Sequence, residues 1–458
     1  MSSKPTAIHA KRALLEDGFA DNVRVMLSGP TIAAVETGCQ PAPGDERVDI
    51  LLPGMANLHS HAFQRAMAGL AEVRGPGRDT FWTWRDLMYR VALTLDPDDV
   101  SAVAAQLYAE MLEGGFTRVG EFHYLHHAPD GSPYADRAEL AGSIVEASQT
   151  AGLGLTLIPV LYAHSDFGGA RPSDGQRRFI NDREGFAHLL DASEAKLSGL
   201  EGACLGVAAH SLRAATPEEV SFAASLRPHA PFHMHISEQV KEVEDCIAWS
   251  GQRPVEWLLE NETVDQRWCL IHATHMTADE TVSLAQSGAV AGLCPVTEAN
   301  LGDGVFNAPD FLAAGGQFGT GSDSNILIGV ADELRQLEYA QRLFHRARNI
   351  IAPHGASNGR TLFEAALKGA ARATGIEGKA GIQPGALADL VSLDANHPAL
   401  IGRKGDSLLD AFIFGASRSP IDKVWALGRK QVEAGRHLAS DAIFVRFRSA
   451  IERLSHRL

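Results

Sequence analysis

The chain alternates short apolar runs with longer segments of helical periodicity between about residue 51 and residue 375. Eight of these runs have the length and near-continuous hydrophobicity that are typical of strands buried on both faces: 51–59, 116–122, 154–162, 203–210, 231–237, 269–274, 289–296 and 318–324. Such strands, when amphipathic helices separate them, form parallel sheets covered by helices. Eight units favour closure into a (β/α)₈ TIM barrel, and a doubly wound open sheet is the alternative.

Two of the intervening helices have clear start signals. Asp96 is a capping residue followed by Pro97, and the apolar face that begins there stops at Gly114. Thr216 and Pro217 open a second helix, and the glutamate three positions after the threonine completes a capping box. The sequence therefore predicts helices in the gaps between the strands.

The two ends of the chain do not follow this alternation. Residues 1–50 contain the alternating run 23–27, and residues 376–435 contain the runs 387–393 and 423–427. These runs resemble short strands joined by glycine-rich turns. We expect both ends to meet in one small β-sandwich-like domain beside the barrel.

This pattern divides the chain into four segments. We expect 1–52 and 377–438 to form the small β domain, 53–376 the barrel, and 439–458 a C-terminal helix. The last segment carries an apolar stripe at helical spacing: Ile443, Phe447, Ile451 and Leu454. Such a stripe more often packs against a core than binds a partner.

The charge balance indicates the class of ligand. There are 41 lysines and arginines against 56 aspartates and glutamates, a formal net charge of −15. This charge repels nucleic acids and anionic membranes, so a small substrate is the better hypothesis. An anionic substrate would require arginines in the pocket, because the overall field opposes its approach.

The first thirty residues contain no continuous apolar segment of the kind found in signal peptides, and no run is long enough to span a bilayer, so a cytoplasmic location is expected. The chain has 5 cysteines, an odd number, without a C-x-x-C pair: Cys39, Cys204, Cys246, Cys269 and Cys294. This pattern argues against a disulfide framework and a thiolate zinc cluster. We expect small buried hydrophobic residues at these positions.

Polar side chains lie at the ends of four of the predicted strands, where barrel enzymes gather their catalytic residues. The first strand ends at His59 and His61, which lie on one face if the strand stays extended through the residue between them. The others are His233, His235 and Glu238 on or after the fifth strand, His272 on the sixth and Asp323 after the eighth. Two unrelated surface histidines are the alternative for the first pair.

These residues match the ligands that zinc accepts. Imidazole nitrogens and a carboxylate oxygen bind Zn²⁺, and a catalytic site keeps one position for water, whose pKa the ion lowers. His59, His61, Asp323 and one histidine of the fifth strand would supply three nitrogens and one oxygen. His233 and His235 share a face, so spacing leaves both open.

The sequence resembles the amidohydrolase superfamily over nearly its full length, in the H-x-H pair, the histidines of the fifth and sixth strands, and the aspartate after the eighth. Five segments are similar, more narrowly, to the formimidoylglutamate deiminase family: 57–69, 81–89, 121–124, 233–239 and 321–325. That family hydrolyses N-formimino-L-glutamate to N-formyl-L-glutamate and ammonia in bacterial histidine breakdown.

The resemblance implies one Zn²⁺ or a similar divalent ion per chain, bound by His59, His61, His235 and Asp323, and so selects His235. Some superfamily members bind two metals bridged by a carboxylated lysine on the fourth strand. No lysine occurs in residues 203–213, which favours a single ion. The resemblance also implies a homodimer.

Three residues have expected roles in proton transfer or charge stabilisation. Asp323 is suited to accept a proton from water, and Glu238 can move a proton to the departing nitrogen. His272 would orient the attacking water or stabilise charge on the intermediate. Each residue has a structural alternative: Asp323 could be a helix-capping carboxylate, Glu238 a solvated glutamate at a helix start, and His272 a buried core histidine.

The glutamate portion of the implied substrate carries two carboxylates, which arginines bind well. By resemblance, five residues contact this substrate: Gln64, Arg85, Tyr124, His210 and Arg213. Glu298 and Asn300, in the loop after the seventh strand, are further candidates. Three of them have structural alternatives: Arg85 could be a surface arginine stacked on tryptophan, Tyr124 an ordinary half-buried tyrosine, and Gln64 a solvated glutamine.

Two other functions compete with this hypothesis. Another zinc deaminase or hydrolase of the superfamily would act on a guanine-like or triazine-like ring, which does not require two arginines. A non-catalytic barrel homologue would typically lack metal ligands, whereas all of them are present here.

Overall fold

The computed structural model describes residues 7–75, 77 and 79–457. The strands are β1 Ala7–Leu15, β2 Gly18–Ser28, β3 Thr31–Glu36, β4 Glu46–Pro53, β5 Met55–Ser60, β6 Phe116–His123, β7 Gly154–Leu161, β8 Cys204–Leu205, β9 Val207–Ala209, β10 Phe232–Ile236, β11 Trp268–His272, β12 Val290–Leu293, β13 Gln317–Thr320, β14 Leu390–Leu393, β15 Ile421–Ala426, β16 Arg429–Glu433 and β17 Arg436–His437.

The helices are α1 Phe81–Ala92, α2 Pro97–Glu113, α3 Glu139–Ala151, α4 Arg183–Lys196, α5 Pro217–Leu226, α6 Val240–Ser250, α7 Pro254–Asn261, α8 Ala278–Ser287, α9 Pro295–Leu301, α10 Ala308–Ala313, α11 Val330–His345, α12 Asn358–Ala373, α13 Ser407–Phe414 and α14 Ser440–Ser455. Short 3₁₀ helices cover Ala62–Met67 and Asp174–Gln176. The Asp96 side chain accepts a hydrogen bond from the Asp99 amide, and Thr216 begins a capping box, so both predicted helix starts are confirmed.

The strands β5 to β13 form a parallel sheet in the order β5-β6-β7-β9-β10-β11-β12-β13, with the short β8 also paired to β7. The sheet closes where Ser60 and Asp323 form a parallel bridge. The TIM barrel prediction is therefore confirmed, and the open-sheet alternative is wrong. The fourth predicted run differs in detail, since Gly206 separates β8 from β9 and packs its Cα against Ile158, where a side chain would not fit.

Both chain ends contribute to a second sheet, in the order β17-β16-β15-β14-β4-β1-β2-β3. Its pairs are antiparallel except for β1 with β4. The predicted small β domain is thus confirmed as one continuous eight-stranded sheet. The domain boundaries remain a prediction, and residues 1–6 and 458, which they include, lie outside the described residues.

The C-terminal helix α14 packs against α2, with Ile443 and Leu454 buried and Phe447 and Ile451 partly buried. Within the described residues, no helix has the length and apolar character needed to cross a membrane. All five cysteines are free; three are buried, whereas Cys39 and Cys204 are partly exposed, contrary to expectation.

Helix α12 lies against the barrel near the beginnings of its strands. Gly369 approaches β13 so closely that a Cβ atom would lie 2.0 Å from the Phe318 carbonyl oxygen. The last carbonyl of the helix, on Ala373, accepts a 2.7 Å hydrogen bond from His233 Nε2. This end of the barrel is therefore filled, and the opposite, C-terminal ends of the strands face the open pocket.

Replacing Gly369 with alanine should destabilise the fold, because the added methyl group overlaps backbone atoms that belong to a strand. We expect Gly369→Ala to lower the free energy of unfolding by about 1–3 kcal/mol, as overpacking usually does. Gly142→Ala on α3 is the matched control, since its Cβ would meet only the Lys196 side chain, at 3.5 Å. Denaturant unfolding would measure both, and equal stability of the two variants would contradict this packing.

Candidate metal centre and substrate pocket

Four buried side chains converge at the C-terminal end of the barrel: His59, His61, His235 and Asp323. Their potential ligand atoms all lie within 4.8 Å of one another. His59 Nε2 is 3.1 Å from His61 Nε2 and 3.1 Å from His235 Nε2. Asp323 Oδ1 is 3.2 Å from His61 Nε2 and 3.6 Å from His59 Nε2. The barrel thus brings three nitrogens and one oxygen from three distant parts of the chain to one point.

The hydrogen bonds of two histidines fix their tautomers. His61 Nδ1 is 3.0 Å from the Phe122 carbonyl oxygen, and His235 Nδ1 is 3.0 Å from that of His210. A carbonyl can only accept, so both Nδ1 atoms carry the proton and both Nε2 lone pairs point into the cluster. Lone pairs and a carboxylate at these separations repel one another unless a cation lies among them. The four side chains therefore fit a divalent metal ion.

The protonation states of the cluster suit metal binding. Burial lowers the pKa of His59 to about 3, and burial also lowers the pKa of His235, so both imidazoles are neutral near pH 7. Burial opposes ionisation of Asp323, but the imidazoles of His59 and His61 hold its pKa below its usual value. Neutral imidazole and ionised carboxylate are the forms that ligate metals.

His233 does not join this cluster, although it shares a strand face with His235. Its Nε2 atom instead bonds to the Ala373 carbonyl at the filled end of the barrel. Strand spacing could not distinguish the two histidines, because it does not specify the depth of each residue in the barrel.

Backbone strain is concentrated around the cluster. Ser237, His272, Asp323 and Asn325 adopt left-handed conformations, with φ of 50°, 68°, 45° and 61°. Non-glycine residues seldom do so, and such strain is concentrated at functional sites. His272 is the last residue of β11 and the other three follow β10 and β13, so the strain lies at the mouth of the barrel.

Beside the cluster lies a buried group of charged residues. Glu238 Oε1 is 3.7 Å from His272 Nε2, and Glu238 Oε2 is 3.9 Å from Arg213 Nη2. His272 Nδ1 lies 3.3 Å from Glu298 Oε1, and His272 Nε2 lies 3.8 Å from Asp323 Oδ2. Glu238 is only 4% exposed, so the alternative of a solvated helix-start glutamate does not apply.

The pKa of Glu238 is shifted toward neutral pH, whereas that of His272 is shifted away from it. Burial raises the pKa of Glu238 to about 7. Burial opposes protonation of His272, but the three carboxylates around it raise its pKa to about 10 in the protein without a bound cation. Glu238 and His272 therefore form a pair in which the carboxyl group can gain or lose a proton near pH 7 and the imidazole stays protonated.

A cavity opens from the cluster to solvent; its empty space, with the solvent at the mouth included, is about 510 Å³. All five predicted substrate contacts line it: Gln64, Arg85, Tyr124, His210 and Arg213. Gln64 is buried rather than solvated, and its Nε2 atom donates to the Tyr124 hydroxyl at 2.9 Å. Asn300 does not line the cavity; it is exposed and donates to Glu72 at 2.9 Å.

Both pocket arginines stack on aromatic rings. The Arg85 guanidinium carbon lies 4.5 Å from the Trp82 ring centroid and 5.5 Å from that of Tyr89. Arg213 lies 5.7 Å from the Trp82 ring centroid. The Nε atom of each arginine is buried without a hydrogen-bond partner. Two guanidinium groups with unpaired Nε donors give this wall of the pocket the chemistry that binds carboxylates well.

Sequence reasoning did not identify two tyrosines that also line the cavity. Tyr89 follows Arg85 by one helical turn on α1, a spacing that could have predicted a shared face. Tyr162 follows the end of β7, where its strand-end position was the available signal.

Comparisons with known proteins agree with this geometry. The Amidohydrolase family profile matches residues 50–430, and that of the N-terminal domain of formimidoylglutamate deiminase HutF matches residues 5–49. A formimidoylglutamate deiminase from Pseudomonas aeruginosa is 51% identical over 95% of this chain and 96% of its own. A crystal structure of an amidohydrolase from Brucella melitensis has a TM-score of 0.96 and 58% identity, over 98% of this chain and 100% of its own. An adenosine deaminase from Xanthomonas campestris with bound zinc has a TM-score of 0.82 at 21% identity, with 98% of both chains covered, which shows a shared fold.

Substitution of one cluster histidine should abolish tight binding of a divalent cation, because it removes a ligand. We expect His235→Ala to weaken binding by more than the roughly 10–100-fold typical when a residue that only supports a ligand is lost. Competition with a chromophoric zinc chelator would measure the affinity. His233→Ala, on the same strand face, is the control and should still bind one ion per chain. Equal affinity of both variants would contradict the proposed ligand set.

Proposed function

The chain belongs to the amidohydrolase family, and from this premise we propose that it hydrolyses N-formimino-L-glutamate to N-formyl-L-glutamate and ammonia. It is a hydrolase that acts on an imine carbon–nitrogen bond. The 51% identity to a formimidoylglutamate deiminase over nearly the whole chain carries this conclusion. The substrate's role in histidine degradation follows from the same relationship.

The charges of the pocket support this substrate. N-formimino-L-glutamate carries two carboxylates, and Arg85 and Arg213 offer two guanidinium groups with unused donors. The net charge of −15 repels the substrate's carboxylates at long range, so attraction must come from groups inside the pocket. A neutral guanine-like or triazine-like ring would leave the buried Nε donors of both arginines without a hydrogen-bond partner, at a desolvation cost.

We propose that the cluster of His59, His61, His235 and Asp323 binds one zinc ion. A divalent cation there would act as a Lewis acid and lower the pKa of a water molecule. The three imidazoles and one carboxylate suit zinc, which accepts nitrogen and oxygen ligands. The convergence of lone pairs at about 3 Å is the feature that favours a cation over an empty polar cavity.

The protein's own residues would handle the protons. Asp323 would accept a proton from the attacking water while Glu238 protonates the imine nitrogen. In the resulting tetrahedral adduct, Glu238 would take back the proton of the new hydroxyl group, and Asp323 would give its proton to the amine, so that the carbonyl forms and ammonia leaves. A carboxyl group with a pKa of about 7 is suited to both accepting and donating a proton near neutral pH. His272, held by Glu298, would stabilise negative charge as the nucleophile adds to the formimino carbon.

The remaining pocket residues would bind and orient the substrate. Arg85 and Arg213 would bind the two carboxylates, with Trp82 behind both guanidinium groups to exclude water. Gln64, Tyr124 and His210 would then fix the formimino end beside the cluster. A homodimer and a cytoplasmic location remain predictions from the sequence.

The purified protein should release ammonia from N-formimino-L-glutamate, lose this activity when a chelator removes its metal, and regain it when zinc is returned. An ammonia-coupled assay on the three preparations would test the proposal. Absence of release from the zinc-loaded protein would exclude the substrate. Full activity after verified removal of the metal would exclude the metal-dependent mechanism.

Replacement of either arginine should impair substrate binding, because each charge-assisted hydrogen bond contributes about 1.5–3 kcal/mol. We expect Arg85→Met and Arg213→Met each to lower kcat/KM by roughly 10- to 150-fold, mainly through KM. Arg183→Met is the control, since Arg183 is exposed and also stacks on an aromatic ring, that of Phe222. Unchanged kinetics in both pocket variants would favour a neutral ring substrate.

A further inference from the structure

The candidate ligands lie on both sides of the strand junction that has the shortest backbone pairing in the barrel. Neighbouring barrel strands pair through ladders, but β13 and β5 are joined only by the bridge between Ser60 and Asp323. In this bridge, the Asp323 amide donates to the His59 carbonyl at 3.0 Å and the His61 amide donates to the Asp323 carbonyl at 3.1 Å. His59 and His61 lie on one side of this seam and Asp323 on the other, so the seam determines their separation.

Three fully buried side chains cross the seam in a directed chain of hydrogen bonds. Asn57 Nδ2 donates to Ser322 Oγ at 2.6 Å, and Ser322 Oγ donates to Asn325 Oδ1 at 2.6 Å. Asn325 Nδ2 donates to the carbonyl oxygens of Asp323, at 2.9 Å, and His61, at 3.1 Å. In the return direction, Asn57 Oδ1 accepts from the Ser322 amide at 3.1 Å. We name Asn57, Ser322 and Asn325 the seam clamp.

Every polar side-chain atom of the seam clamp has a partner, although the three residues are at most 1% exposed. Buried polar networks that are fully satisfied specify one geometry, because any shift leaves a donor or acceptor unpaired. The contacts of Asn325 end on the backbone of His61 and Asp323 themselves. The seam clamp is therefore connected directly to residues on both sides of the cluster.

We propose that the seam clamp consists of positioning residues that set the spacing of His59, His61 and Asp323 for one metal ion. The proposal rests on the metal centre proposed above and adds residues that do not themselves contact the ion. Removing a link should loosen the cluster, because the ligands on the two sides would then be held together only by the backbone bridge and the remaining links of the clamp, one of which would lack its partner.

Backbone packing at the seam suggests that the fold itself would survive loss of the clamp. A Cβ atom on Gly321 would lie 2.7 Å from both the backbone nitrogen and the backbone oxygen of His59, so the two segments of the chain already pack backbone against backbone. Asn325 has a φ of 61°, which asparagine and glycine tolerate. Asn325→Gly thus keeps the backbone conformation while it removes the amide, and Ser322→Ala removes only the bridging oxygen.

The test compares zinc affinity by chelator competition, the visible absorption spectrum of the Co²⁺-substituted protein, and the thermal unfolding of the metal-free protein. Ser322→Ala and Asn325→Gly should weaken zinc binding by roughly 10–100-fold and alter the Co²⁺ spectrum. Thr156→Val is the matched control: Thr156 is buried in the same barrel and donates to the Thr374 carbonyl at 2.7 Å, near the filled end. It should lower thermal stability without changing affinity or spectrum.

The outcomes separate this proposal from the one on which it rests. If the wild-type protein binds neither ion, the metal centre fails, and the seam clamp fails with it. If the wild type binds zinc and both clamp variants match it in affinity and spectrum, the clamp proposal alone is wrong. If Ser322→Ala and Asn325→Gly both fail to fold without metal, or if Thr156→Val weakens zinc binding as much as they do, the clamp has a general structural role. In either case the proposal that it positions the metal ligands is also wrong.

Discussion

The active site depends on the close approach of groups that repel one another. Three imidazole nitrogens and a carboxylate oxygen lie within 4.8 Å in a buried position, and two of the imidazoles direct lone pairs inward because their other nitrogens donate to main-chain carbonyls. Only a rigid scaffold keeps such groups together before a cation arrives. The closed barrel supplies it, since each strand is fixed by its neighbours and the last is joined to the first beside the ligands.

The pocket reverses the electrostatic character of the whole molecule. The chain carries a formal charge of −15, yet two arginines face the substrate cavity from α1 and from the loop after β9. Behind them, three buried side chains lie in a row, with His272 between the carboxylates of Glu238 and Glu298. Trp82 lies against both guanidinium groups, and at short range their attraction can exceed the long-range field that opposes an anion, which salt screens.

Much of the architecture and most of the candidate site could be predicted from local patterns. The strand runs indicated the barrel, and the capping signals at Asp96 and Thr216 indicated helices that the structure contains. The pattern did not separate His233 from His235, since both lie on one strand face. It also gave no sign that Glu298 holds His272 or that Asn300 points away from the pocket. For Tyr89 and Tyr162, which line the pocket, it offered only a helical spacing and a strand-end position. These facts depend on contacts between segments far apart in sequence.

The sequence by itself determined which elements form and which residue types reach the strand ends, because hydrophobic periodicity, capping and strand alternation act over only a few residues. The tertiary structure alone decided that His59, His61, His235 and Asp323 meet, and that Asn57 and Ser322 bond across the seam. Residues 57 and 322 become neighbours only when the barrel closes. Strand register and closure set such distances, and both depend on the packing of the whole chain.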